Sequence, residues 1–327
     1  MNKTLSLALA IVAGPGVLLA TAQELPIIHD MHYADLSPDG SRAAFSYQGD
    51  LWIADIDDSG EGQARRLTVH VAYEGRIRFS PDGERIAFSS DRYGSQDIFI
   101  VPADGGEIER VTHHSATDIM AEWSPDGRTL LFSSGGRDFR EWAPYEIDLD
   151  TGYVRPLFRD SQSCHGMTYS PDGRYVAGLR GGQAWWRKDY KGSGDSDVFL
   201  YDRETDTLEI LTDDYDGIDN WPNFAENGET LTWVSDRDGR PNLYAMDMET
   251  REIRRLTRHG EDAVIYPSVS GDGETLIYEW NFDLHTVPAR GGVPRQLEIH
   301  APIDFKESFE GEETKRSDVE EMEVNRD

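Results

Sequence analysis

The tetrapeptide Ser-Pro-Asp-Gly returns four times, at residues 37–40, 80–83, 124–127 and 170–173, and degenerate copies follow at 225–228 and 270–273. Successive copies lie 43, 44, 46, 55 and 45 residues apart. A period of about 45 residues, with β-type segments between turns, matches one four-stranded propeller blade. A helical repeat of that length would need 3.6-residue periodicity, and none is visible. The six anchors therefore predict an all-β chain, a six-bladed β-propeller of four-stranded antiparallel blades over residues 23–302.

Each repeat is built alike. A short strand ends in an apolar residue directly before the anchor: Leu36, Phe79, Trp123, Tyr169, Phe224 and Val269. Within the anchor, Pro presets φ for a type I turn and Gly accepts the positive φ that closes the hairpin. The second strand is almost wholly apolar, as in Ile86-Ala87-Phe88 and Leu130-Leu131-Phe132. Such a run predicts burial on both faces, as stacked blades require. The third strand alternates more clearly, as in Asp50-Leu51-Trp52-Ile53 and Asp97-Ile98-Phe99-Ile100. A tight turn then leads to a polar-flanked outer strand, an edge on which charge discourages pairing with other sheets.

Two stretches break the pattern. The longest interval marks an insertion at 181–196 in blade four, which holds Trp185, Trp186, Arg187, Lys188 and Tyr190. Against 62 acidic and 32 basic residues, a net charge of −30, this aromatic and basic cluster reads as a docking patch, because such side chains dominate interface hot spots. The alternative is a loop folded back over its own blade to bury the Trp rings. Residues 303–327 read as an acidic linker. Their last six, Met322-Glu323-Val324-Asn325-Arg326-Asp327, align with Ala121-Glu122-Trp123-Ser124-Pro125-Asp126. That is the opening of a further repeat, so a longer natural protein is expected.

At the other end, residues 1–22 read as an export signal: Lys3, a short apolar run, and an A-x-A site at Ala20-Thr21-Ala22. Cleavage after Ala22 would leave a periplasmic or secreted protein with no membrane span. Its negative surface argues against nucleic acid and anionic lipid as partners. Cys164 is the lone cysteine, so no intrachain disulfide forms.

A search for chemistry returns little. No G-x-S-x-G elbow, H-E-x-x-H, Walker loop or dinucleotide fingerprint occurs. Accordingly no catalytic residue, cofactor or metal site is expected. Cys164 and His165 are strand neighbours that point to opposite faces and cannot share a proton; they read as a small buried Cys beside a partly exposed His. Residues 55–60 open like a calcium loop, but Arg66 stands where the bidentate Glu belongs. Asp213, Asp214, Asp216 and Asp219 read as a solvated acidic loop rather than a calcium site. His113-His114 reads as a polar link between blades.

The anchors, the turn Ser235-Asp236-Arg237-Asp238-Gly239 and the Leu-Thr strand ends resemble the TolB-type propeller repeat. The run Trp186-Arg187-Lys188-Asp189-Tyr190-Lys191-Gly192 leading into Asp197-Val198-Phe199-Leu200, with Asp219-Asn220-Trp221-Pro222-Asn223-Phe224, resembles more specifically the amino-terminal propeller of tricorn-like serine peptidases. The resemblance covers the mature chain. It implies a module that works with a second propeller, a PDZ domain and a carboxy-terminal peptidase domain. The catalytic groups of that last domain fall on no residue here. The implied role is a channel or gate for unfolded peptides or their products, so the implied partners are peptides and the downstream domains, with homo-oligomer formation left open. Polar residues near the starts of the inner strands, His32, Arg76, Asp118 and Asn220, are the candidates for lining that channel. The ring would close either by a strand from residues 25–29 added to blade six or, as the resemblance suggests, by apolar packing alone. Two other readings stand beside this one: a stand-alone periplasmic TolB-like scaffold, and the propeller of a prolyl-oligopeptidase-like or amidohydrolase-fused enzyme. The blade-four run argues against the latter.

Overall fold

The computed structural model describes residues 25–138, 140–182, 195–260 and 262–302. The expected export signal, the docking-patch residues Trp185, Trp186, Arg187, Lys188 and Tyr190, and the acidic tail lie outside these. The described residues form six antiparallel sheets in chain order, each running from an inner to an outer strand. The inner strands are His32–Leu36, Glu74–Phe79, Thr117–Trp123, Cys164–Tyr169, Asp219–Ala225 and Ile265–Val269, and each neighbours the next around a closed ring. The chain is a six-bladed propeller.

The anchors form a second ring at one face. In blade one, the Ser37 hydroxyl donates to Asp39 at 2.6 Å while Oγ accepts from the Arg42 amide at 2.9 Å. The hydroxyl bond holds the Asp39 carboxyl down at about 2. Each anchor Pro then abuts a Gly of the following blade. A Cβ at Gly83 would meet Pro38 at 3.0 Å, one at Gly228 would meet Pro171 at 3.2 Å, and one at Gly271 would return to Pro38 at 2.8 Å. Gly273 is as tight and is left-handed as well, with φ +76° and the backbone nitrogen of Glu226 only 2.8 Å from any added Cβ. Gly40 has a similar φ of +71° but open space around it. Gly40→Ala is therefore expected to cost about 1 kcal/mol, the left-handed penalty alone. Gly273→Ala should cost visibly more, because backbone cannot yield as a side-chain tip can. Equal shifts of the two variants in urea midpoint would refute the inter-blade role of this glycine.

Burial follows the stacking of blades. Phe45, Phe88, Phe132, Phe199 and Trp233 on the second and third strands are fully enclosed between neighbours. The third strands are buried more completely than their alternation predicts: Leu51, Trp52 and Ile53 are all covered, and so are Ile98, Phe99 and Ile100. Both faces of the strand meet another blade, and in three blades a buried polar residue stands directly before the apolar run. There Asp50, Asp97 and Asn242 are wholly buried and engaged. A threonine on the outer segment satisfies the adjoining amide in each case, as Thr68 Oγ1 does for Leu51 at 2.9 Å and Thr257 Oγ1 for Leu243 at 3.0 Å. This explains the recurrent Leu-Thr strand end.

Closure differs from both expectations. Blade six keeps its own four strands, and Glu298–His300 adds a fifth strand, parallel, to the outer edge of blade one beside Glu61–Arg66. Residues 25–29 then cross this strand rather than blade six: Ile27 bridges His300, and the Ile28 amide donates to the Ile299 carbonyl at 2.8 Å. The ring is thus locked by hydrogen bonds and by packing together, with Leu297, Ile299 and Ala301 buried against Ile28, Ala64, Ile277 and Leu284.

Candidate functional site

Five of the six inner strands bend near their start, while the strand Thr117–Trp123 slips further along, at Ala121. The pairing register slips between His32 and Asp35, Gly75 and Arg78, His165 and Thr168, Asn220 and Asn223, and Ile265 and Ser268. At the slip stand Tyr33, Arg76, Gly166, Trp221 and Tyr266, all left-handed with φ between 47° and 58°. Gly166 adopts this freely, whereas four bulky side chains there cost about 1–3 kcal/mol each. A bulge re-aims its side chain, and here the aim is the propeller axis. The four meet. Tyr33 and Tyr266 have ring centroids 4.4 Å apart, Trp221 and Tyr266 4.8 Å, and the Arg76 guanidinium lies over Tyr33 at 4.8 Å and over Tyr266 at 4.9 Å. All of these residues stand four places before the first residue of their anchor. An alignment of the repeats on Ser-Pro-Asp-Gly could have singled out that column.

These side chains border an axial cavity of 170 Å³ to which all six inner strands contribute. Arg76 and Asn220, two of the expected channel residues, line it, together with Ile119, Met120, Trp142, His165 and Met167. Asp118 does not line it. It is fully buried inside blade three, where it accepts from Ser134 and Arg137 at 2.6 Å each. The same intrablade pair recurs as Glu74 with Arg92 and as Asp219 with Arg237. Asp118 therefore serves the blade and not the tunnel. His32 stays half exposed, with Nδ1 2.8 Å from Glu279 and Nε2 3.2 Å from Asp30, a pairing that raises its pKa.

His165 was expected to be partly exposed, yet it is buried against the cavity. Burial pushes it down to about 4, with the Arg76 charge adding to the effect, so the ring is neutral. Its neighbour Cys164 faces the blade interior, where burial drives the thiol up to about 12. The two do not act as a pair. Asp219 leaves the expected acidic loop for the buried start of an inner strand, and His114 caps the Ala116 amide locally at 2.9 Å instead of linking blades. Among the described residues no three His, Cys, Asp or Glu are grouped to hold a metal.

Towards the anchor face the axis reopens, and Arg78 and Asn223 border both parts. Here Arg78 Nε lies 3.6 Å from a Glu122 carboxylate oxygen. Burial outweighs this partner and lifts Glu122 from 4.5 to about 7. A carboxyl raised on folding contributes stability that is complete below about 4.5 and is lost as pH rises through about 7. Glu122→Gln should therefore flatten the decline of the urea midpoint between pH 5 and 8 relative to wild type. Parallel profiles would remove Glu122 from this account.

Six contiguous blades around an axial cavity define a TolB-like propeller in fold. The TolB structure from Acinetobacter baumannii superposes with a TM-score of 0.60 at 21% identity, covering 85% of this chain and 68% of that one. More specifically, the model of the tricorn protease N-terminal β-propeller domain matches residues 31–302, and the chain belongs to that family. Two tricorn protease homologues of Streptomyces coelicolor are 33% identical over 293 residues and 28% over 272. Each match covers 80% of this chain, and respectively 22% and 24% of the relative. The chain thus spans about a quarter of the length of these relatives. The crystal structure of the tricorn protease superposes with a TM-score of 0.72 at 19% identity, over 85% of this chain and 27% of that one.

Proposed function

We propose that this chain is the non-catalytic propeller module of an exported tricorn-like serine peptidase, which docks or gates peptides for a peptidase domain carried outside it. The observation that carries the reading is the axial cavity: within a propeller of this family, side chains from every blade converge on one aromatic, positively charged site. A site on the symmetry axis can touch an extended chain from all sides, which suits a peptide better than a folded partner.

Fluorescent unstructured peptides mixed with the purified chain are expected to bind saturably and to remain intact over hours. Absence of binding, or cleavage by the chain alone, would overturn the assignment. Export is tested separately: the amino terminus of protein recovered from outside the cytoplasm should be Gln23.

A further inference from the structure

We propose that His259 and His285 form a metal site on the rim of blade six, one that takes a late divalent transition metal, Cu²⁺ above all. The site lies away from the propeller axis and stands independently of the peptide-docking reading. Arg258, His259, Trp280, His285, Pro294 and Gln296 line a cleft of 390 Å³ there. It sits where Trp280 pairs with Asp283, at the end of the blade remote from the anchor turn.

The first support is how each imidazole is tied. His285 Nδ1 lies 3.3 Å from the Asp283 carbonyl, an acceptor, so this nitrogen carries the proton and Nε2 keeps its lone pair. His259 Nε2 lies 2.9 Å from the Tyr278 hydroxyl, which can accept its proton and leave Nδ1 as the lone-pair nitrogen. Neither lone-pair nitrogen has a hydrogen-bond partner among the described residues. An oxygen that fixes one ring nitrogen and leaves the other for the metal is the usual surrounding of a ligating histidine. Burial lowers the pKa of both rings, His285 adding to the effect on His259 and Asp283 opposing it on His285. Both are uncharged at neutral pH, as ligands must be.

The second support is distance. Imidazole nitrogens bind such metals at about 2.0–2.1 Å and the ring centre lies about 1.2 Å further, so two rings on one ion have centres at most about 6.5 Å apart. The centres of His259 and His285 are 6.0 Å apart. Gln296 donates through Nε2 to Asp283 at 2.8 Å, which leaves its Oε1 as a third donor. Trp280 Nε1, buried and without a partner among the described residues, would gain an acceptor from a water or anion completing the shell.

The third support comes from the repeat. In blades two, three and five an Arg lies against the aromatic pair that joins the second and third strands, as Arg92 does over Phe88 and Phe99. In blade six that pair is Tyr278 and His285, and among the described residues His259 stands beside it in place of an Arg. Two nitrogen donors thus occupy a position where other blades hold a cation. Imidazole suits copper, zinc and nickel, and affinity along that row peaks at Cu²⁺. Exposed Arg258 opposes the charge of the ion, and the Asp283 carboxylate offsets it.

The test titrates the purified chain with copper(II) chloride in a non-coordinating buffer and follows Trp fluorescence. The Trp280 ring stacks on His259 at 4.1 Å, so bound Cu²⁺ quenches it. Saturable quenching by about one ion per chain is expected, with Zn²⁺ competing only at higher concentration. His259→Gln and His285→Gln should each weaken Cu²⁺ binding about tenfold or more, whereas His113→Gln should leave it unchanged. Equal binding by the unaltered chain and either of the first two variants, or no saturable quenching, would overturn the proposal. If a variant fails to fold, the electron paramagnetic resonance spectrum of the Cu²⁺-loaded unaltered chain decides. Two coordinated nitrogens support the pair, and one or none overturns it.

Discussion

Replacing Ile299 by alanine is expected to destabilise the propeller by about 3 kcal/mol, the usual cost of emptying a fully buried Ile site. The residue is completely enclosed and sits at the centre of the seam. It faces Gly62 on blade one so closely that a Cβ there would lie 3.0 Å from the Ile299 methyl. Glu298 and Ile299 also carry the backbone bonds that hold the last strand, from the Glu298 amide to the Gly60 carbonyl at 2.9 Å and from the Ile28 amide to the Ile299 carbonyl. Ile27 makes the matched control. It lies on the crossing segment but is 42% exposed, so its alanine variant should cost under about 1 kcal/mol. Urea midpoints of the two variants decide the matter. If both fall equally, or Ile299→Ala falls by less than about 1 kcal/mol, closure does not depend on this apolar contact.

Blade number and core were legible because both follow from periodicity. A turn every forty-odd residues, with apolar strands between, leaves a stacked ring as the arrangement that covers both faces of each sheet. Closure was not legible, since a three-residue strand such as Glu-Ile-His carries no pattern of its own. Its parallel partner lies far away in sequence, beyond any local signal. The axial residues were half legible. Arg76 and Asn220, read as polar residues near strand starts, border the axial cavity, whereas Asp118, read by the same rule, points into its own blade. The reason is the bulge. Residues four places before the anchor turn to the axis, whereas Glu74, Asp118 and Asp219 stand six places before it and turn to the loop Arg of their own blade. Alternation alone would put these two columns on one side; in blades two and five the residue of the nearer column, Arg76 or Trp221, is itself left-handed, which separates the two directions. Tyr33 and Tyr266 were missed because an aromatic in a strand is, on composition alone, a core residue, and His165 because alternation beside a buried Cys placed it outward.

Asp219→Ala should have the other large effect, a loss of about 3–5 kcal/mol. Its carboxylate is almost wholly buried and takes a bond from Trp233 Nε1 at 3.0 Å and a charged contact from Arg237 at 3.2 Å. The Arg237 guanidinium in turn lies 5.3 Å from the Trp233, Tyr244 and Tyr215 rings and bonds Ser235 through Nε at 2.9 Å. Removing the carboxylate strands a largely buried cation and an indole N–H, and that penalty exceeds the worth of the pair itself. Asp219→Asn keeps an acceptor for Trp233 and should recover part of the loss. Arg237→Ala removes the stranded charge, so the double variant Asp219→Ala with Arg237→Ala should lose less than the sum of the singles, by about 1–3 kcal/mol. Strict additivity in that cycle would mean the pair does not couple. The Arg of the turn at 235–239 would then owe its place to the backbone geometry of the turn and not to the ion pair it closes.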